Sequence, residues 1–225
     1  MKIFFKYISH FAYVAINWNI WMAFFMIYDN IRGSIRYGPG TFAPVELKNL
    51  TVVKGDVKTA SRYEAVSFYM VEKLFRAFRK IASATSIVDL GCGKGRAMMV
   101  AAHFGFTDIK GIDFAKEICA QATVTMTRKE KEFSAMRWQV LNADVTDYEI
   151  KSTDSVFFMF NPFGQSVLKN FLLKLEASCH LFPRTIYFLY ASPRFRQLLL
   201  NNGYAIIYQK KKLYLESIIA VRDYD

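Results

Sequence analysis

The sequence predicts an α/β chain: a Rossmann-like, seven-stranded, mostly parallel sheet with a terminal antiparallel hairpin strand, preceded by an N-terminal helical extension. Three observations predict it. From Ser86 onward, short apolar runs alternate with stretches long enough for helices, as in a sheet covered on both faces. One of those runs, Ile87-Val88-Asp89-Leu90, leads straight into alternate glycines, Gly91, Gly93 and Gly95, with a helical stretch behind them. Ahead of this pattern, residues 7–28 contain no Asp, Glu, Lys or Arg.

The elements follow in order. Residues 1–30 read as an apolar helix, long enough for a bilayer span of ~20 residues. Asn17 and Asn19 interrupt it, and Trp18 and Trp21 sit centrally, whereas tryptophans of a span usually flank it. Two readings stand: membrane association through residues 7–28, and a helix packed on the protein or a partner. The segment does not read as a cleaved signal, because its apolar part is too long and no small-residue cleavage site follows it. Residues 31–60, broken by Gly33, Gly38, Pro39, Gly40, Pro44 and Gly55, read as a loop-rich linker. The main domain is expected over 61–225. Ser61-Arg62-Tyr63-Glu64 fits a capping box opening a helix, and Val66, Met70, Leu74, Phe78 and Ile81 recur at helical spacing as its apolar stripe. Strands are expected near 86–90, 108–112, 136–141, 154–160, 185–190, 204–208 and 213–221. Helices are expected near 94–105, 115–131, 165–178 and 193–201, with Lys210-Lys211-Lys212 at the tip of the last hairpin.

Composition narrows the function. A chain of 225 residues that is 53% hydrophobic and 16% aromatic can bury a large core, which excludes a disordered chain. Cys92, Cys119 and Cys179 are odd in number and lack metal-ligand spacing, so neither a disulfide framework nor a zinc site is expected. Of the net charge of +11, residues 1–80 carry +7. That excess suits an anionic partner such as a membrane surface or nucleic acid, and equally a surface that only keeps the chain soluble.

The sharpest motif is Asp89-Leu90-Gly91-Cys92-Gly93-Lys94-Gly95-Arg96. Glycines there let the backbone turn sharply and approach a ligand without an intervening Cβ. The spacing G-x-G-x-G differs from the dinucleotide G-x-G-x-x-G, and Asp89 just before the loop would repel a phosphate and suit a cation. Gly111-Ile112-Asp113 ends the second strand with an acid, Asn142-Ala143-Asp144 follows the third, and Phe160-Asn161-Pro162-Phe163 follows the fourth. Lys94 and Arg96 fit the helix surface better than the ligand.

This set resembles the class I S-adenosylmethionine-dependent methyltransferases, and the narrower DLGCGKGR and FNPF pattern is similar to a bacterial group within them. A more distant similarity is to membrane-anchored lysine methyltransferases. The resemblance implies S-adenosylmethionine as cofactor, held by Asp89, Gly91, Cys92, Gly93, Gly95, Asp113, Phe114, Ala143, Asp144 and Asn161. Asp113 would take the ribose hydroxyls, and Ala143 and Asp144 the adenine. Asn161, Pro162 and Phe163 would form the catalytic corner, which is similar to the Asn/Asp-Pro-Pro-Tyr/Phe motif of enzymes that methylate amine nitrogens. Here the second proline is replaced by Phe163, which leaves the substrate class open. Tyr63 and Glu64, with Arg36-Tyr37-Gly38 and Thr41, match segments that cover the cofactor in such layouts, making Tyr63 and Glu64 candidate substrate contacts.

The expected activity is methyl transfer from S-adenosylmethionine to an amine nitrogen, such as that of a protein lysine, with a small-molecule methyltransferase as one alternative. Further alternatives are a nucleic-acid methyltransferase and an inactive binding protein on the same fold. A cytosolic cofactor implies a cytoplasmic domain, either free or at the inner face of the membrane. No metal is implied, and the sequence does not specify an oligomeric state.

Overall fold

The computed structural model describes residues 11–42 and 64–224. Residues 11–17 are helical, and the chain breaks at Trp18-Asn19. Asn19 then caps helix α1 (Ile20–Tyr37), its side-chain oxygen accepting from the Met22 amide at 2.8 Å. Over its described part, 11–30, the expected single helix is therefore two pieces, residues 1–10 lying outside the described residues, and α1 runs on through residues assigned above to the linker. Gly33 does not break it. A Cβ at Gly33 would overlap the Phe68 ring, so the glycine lets helix α2 (Phe68–Ile81) approach closely.

The start of α2 also differs from the capping-box expectation. Ser61 and Tyr63 lie outside the described residues, and Glu64 is exposed on non-helical chain ahead of the helix. The cap comes from a distant element instead. Asp29 of α1 accepts from the Ser67 hydroxyl at 2.7 Å and from the Tyr69 amide at 3.0 Å. The same carboxylate pairs with Arg32, which bridges to Glu72 of α2, and the Tyr37 hydroxyl donates to that Glu72. A buried acid at a helix N-terminus satisfies free amides and suits the helix dipole.

The sheet comprises β1 (Ser86–Leu90), β2 (Asp108–Asp113), β3 (Arg137–Asn142), β4 (Val156–Met159), β5 (Ile186–Ala191), β6 (Ala205–Lys212) and β7 (Leu215–Arg222). Its order is β3-β2-β1-β4-β5-β7-β6, parallel except for β7, which pairs antiparallel with both β5 and β6. The remaining helices are α3 (Arg96–His103), α4 (Lys116–Glu130), α5 (Gln165–Leu181) and α6 (Arg196–Asn201). Both sheet faces are covered, which is why β1 and β4 are buried along their whole length. Ile87 of β1 and Phe158 of β4 belong to one core with α2 and α3. Val88, Leu90, Phe157 and Met159 belong to the other, with α5 and Leu199 of α6.

Two further expectations change. Lys210, Lys211 and Lys212 lie in β6, not at the hairpin tip; the turn is Leu213-Tyr214, with Leu213 at φ 54°. Helix α6 begins at Arg196 rather than at 193. Among the described residues no helix is long and apolar enough to cross a membrane.

Candidate active site

The strand order reverses between β1 and β4: β2 and β3 lie on one side of β1, β4 and β5 on the other. Helices leaving neighbouring strands to opposite faces open a crevice at their carboxyl ends, where open α/β sheets bind ligands. Both motif-bearing loops end there. The Gly91 and Cys92 amides both donate to the Ile112 carbonyl of β2 at 2.9 Å, which pins the turn against the neighbouring strand. Gly91 has φ 74°, and a Cβ on it would overlap the Cβ of Pro162. The glycine loop after β1 and the Asn-Pro-Phe segment after β4 are thus in contact, and only glycine permits it.

Asp113, at the end of β2, holds the same loop from below. Its Oδ2 accepts from the Gly93 amide and its Oδ1 from the Ala115 amide, both at 3.0 Å. Burial raises the Asp113 carboxyl above its ordinary range, against the lowering by these amides and that of Phe114. The backbone carbonyl of Asp113 accepts from the Ala143 amide at 3.0 Å and from the Asn142 side chain at 3.1 Å, which ties the end of β3 to the site. Asp144 follows, half-buried; its Oδ1 takes both the Thr146 amide and hydroxyl and so shapes its own turn.

Asp89 is buried at 4% exposure. Desolvation first, and the neighbouring Asp113 charge second, push its carboxyl well above the usual range. Among the described residues no hydrogen-bond donor or cation pairs with it. A buried carboxyl without a partner fits a positively charged ligand group. Cys92 packs where a Cβ on Gly111 would meet it, and burial, reinforced by Asp113 and Asp89, pushes its thiol well up. That makes Cys92 an inert wall of the loop.

Asn161 adopts φ 42°, an uncommon conformation for a residue with a side chain. Its amide donates to the Ser192 carbonyl at 2.5 Å, and its Oδ1 accepts from the Tyr190 hydroxyl at 2.7 Å. Tyr190 is buried, and desolvation lifts its phenol to about 12, so it stays a donor at neutral pH. Phe163 is half-buried against the core on the α5 side.

The structure therefore brings together Asp89, Gly91, Cys92, Gly93, Gly95, Asp113, Phe114, Asn161 and Pro162, with Ala143 and Asp144 at the adjacent strand end. Of the remaining candidates, Tyr63 lies outside the described residues and Glu64 is exposed on the chain ahead of α2. Sequence reasoning missed Tyr190 and Ser192. Lys94 and Arg96, expected on the surface, are both buried. Arg96 donates to Thr41 Oγ1 at 2.9 Å and to the Val66 carbonyl at 2.8 Å, and its guanidinium stacks 4.1 Å from the Phe68 ring centre. It leaves the glycine loop inward because the chain flanking α1 and α2 offers these acceptors.

Comparison with known proteins agrees with this architecture. Residues 87–177 match the family model described as a methyltransferase domain. Similar solved structures include a ribosomal protein L11 methylase from Lactobacillus delbrueckii subsp. bulgaricus, with a TM-score of 0.52, 12% identity and coverage of 68% of this chain and 77% of that one. Another is magnesium protoporphyrin IX methyltransferase from Synechocystis with bound S-adenosylhomocysteine, with a TM-score of 0.51, 14% identity and coverage of 69% and 82%. A third is 1,6-didemethyltoxoflavin-N1-methyltransferase from Burkholderia thailandensis, with a TM-score of 0.50, 10% identity and coverage of 68% and 76%. A search of curated proteins found no match. The match over residues 87–177, on a Rossmann-like sheet, identifies that stretch as a methyltransferase domain.

Proposed function

We propose that the enzyme methylates an amine nitrogen, with a protein lysine as the favoured acceptor. The observation that carries this reading is the contact between Gly91 and Pro162, which brings the Asn161-Pro162 segment against the glycine loop. S-adenosylmethionine supplies a methyl group on a positively charged sulfur. In this reading the cofactor lies along the loop Gly91, Cys92, Gly93 and Gly95. Asp89 faces its positive charge, Asp113 and Phe114 take the ribose side, and Ala143 and Asp144 take the adenine. Each oxygen of Asp113 already accepts one backbone amide and keeps a further lone pair for a hydroxyl.

The acceptor would meet Asn161, Pro162 and Phe163. Asn161 Oδ1 accepts one bond from Tyr190 and has one more lone pair, enough to take an amine N–H and aim the nitrogen's own lone pair. Tyr190 and Ser192 fix the amide, so Asn161 is oriented before the acceptor arrives. A lysine acceptor must first lose its proton. Its ordinary pKa of ~10.4 falls where water is excluded and a positive charge stands nearby. A cytosolic methyl donor implies that the domain works on the cytoplasmic side.

The test is transfer of radiolabelled methyl groups from the donor to separated protein, RNA and membrane fractions of host cells. Label on a protein amine, lost in Asn161→Ala with cofactor binding retained, is the expected result. Label in RNA alone would overturn the protein-amine assignment.

A further inference from the structure

We infer that the outer face of α1, together with the end of the β6–β7 hairpin, seats this enzyme on an anionic lipid surface. Helix α1 buries one side against the domain through Met22, Ala23, Asp29, Asn30, Gly33 and Tyr37. Its opposite side carries Ile20, Trp21, Phe24, Tyr28, Ile31 and Ile35, all exposed, with Trp21 at 74% and Ile35 at 82%. Offsets of 1, 4, 8, 11 and 15 residues from Ile20 put them on one stripe, ~22 Å long at the helical rise of ~1.5 Å per residue. The stripe holds no charge. The only charged residues of α1 are Asp29, Arg32 and Arg36, and the first two are spent on Glu72 and the start of α2. An apolar helix face of this extent is normally covered.

The surroundings select the occupant. The β6–β7 turn exposes Leu213 and Tyr214, and Lys210, Lys211 and Lys212 precede it on the edge strand, all exposed. This hairpin end lies beside α1. The Lys212 ammonium stands 4.7 Å from the Phe25 ring centre, and Leu215 packs against the Met22–Ala23 cluster. Trp, Tyr and Phe next to lysines match the interfacial zone of a bilayer with acidic headgroups. A second copy of the chain related by a two-fold axis would bring two basic rims together, which disfavours it. Lying in the interface, rather than crossing it, follows from the docked Asp29 face of α1, since that face cannot leave the domain without stranding buried polar groups.

The experiment is co-sedimentation of the purified full chain with vesicles of phosphatidylcholine alone and of phosphatidylcholine mixed with phosphatidylglycerol. Binding should be about tenfold stronger to the mixed vesicles and weaken with salt. The exposed pair Phe24→Ser with Ile31→Ser should abolish it without changing Tm, and Lys210→Ser with Lys211→Ser should remove only the preference for acidic lipid. As a check needing no variant, brominated lipid should quench the tryptophan emission of the unaltered chain. Three results would overturn the inference: no vesicle binding, binding unaffected by the Phe24 and Ile31 changes, or a lipid-free dimer that those changes dissociate. Cofactor binding, measured separately, is independent of all three.

Discussion

At the end of β1, Asp89 sits under the glycine loop with its carboxyl raised by burial and by Asp113, and this has a consequence for stability. A carboxyl whose folded pKa is raised stabilises the folded chain in its protonated form. That contribution is complete below the ordinary aspartate range of ~3.9 and is lost as pH rises through the raised value. At neutral pH the free enzyme therefore bears the cost of this group, and a cationic ligand relieves it. Asp89→Asn should raise the stability of the free enzyme at neutral pH by about 1 kcal/mol or more, a few degrees in Tm, and weaken cofactor affinity about tenfold. Scanning calorimetry across pH, with and without cofactor, checks both signs; a variant less stable at neutral pH with unchanged affinity would contradict the account. The acids at strand ends and the loop glycines were legible in the sequence because each does a local job at a fixed offset. Tyr190 and Ser192 were not, because their link to Asn161 runs from β5 to β4, and no spacing within one segment encodes it.

Among the elements, α1 and α2 hold each other by exchanging polar groups. Asp29 supplies the cap that α2 lacks locally, and Arg32 and Tyr37 converge on Glu72. Asp29→Ala would leave the Ser67 hydroxyl, the Tyr69 amide and Arg32 short of a buried acceptor, with an expected loss of about 2–4 kcal/mol in chemical denaturation. A loss below about 0.5 kcal/mol, the range of an exposed substitution, would mean that α1 is not docked as described. The same exchange explains why the start of α2 was misplaced in the sequence reading. Ser61 and Glu64 have the right letters for a capping box, whereas the cap in use comes from 38 residues before Ser67. The linker boundary failed for a related reason: Gly33 looked like a breaker but is the contact point with Phe68.

For the whole molecule, strand and helix positions from β1 to β5 fell within a few residues of expectation, because buried parallel strands and their crossover helices differ sharply in pattern. The hairpin tip was misread because β6 is an edge strand, largely exposed, where lysines are compatible with pairing. What unites the molecule is the crevice at the β1–β4 reversal, where a glycine turn, the buried Asp89, the half-buried Asp113 and the Asn161 corner converge. Isothermal titration of the enzyme with S-adenosylmethionine tests that most directly. The account predicts a single site of micromolar affinity for the unaltered chain and about tenfold or greater loss in Asp113→Ala, which removes a charged hydrogen-bond acceptor worth ~1.5–3 kcal/mol per bond. No binding at high micromolar donor, or equal affinity in Asp113→Ala, would contradict it.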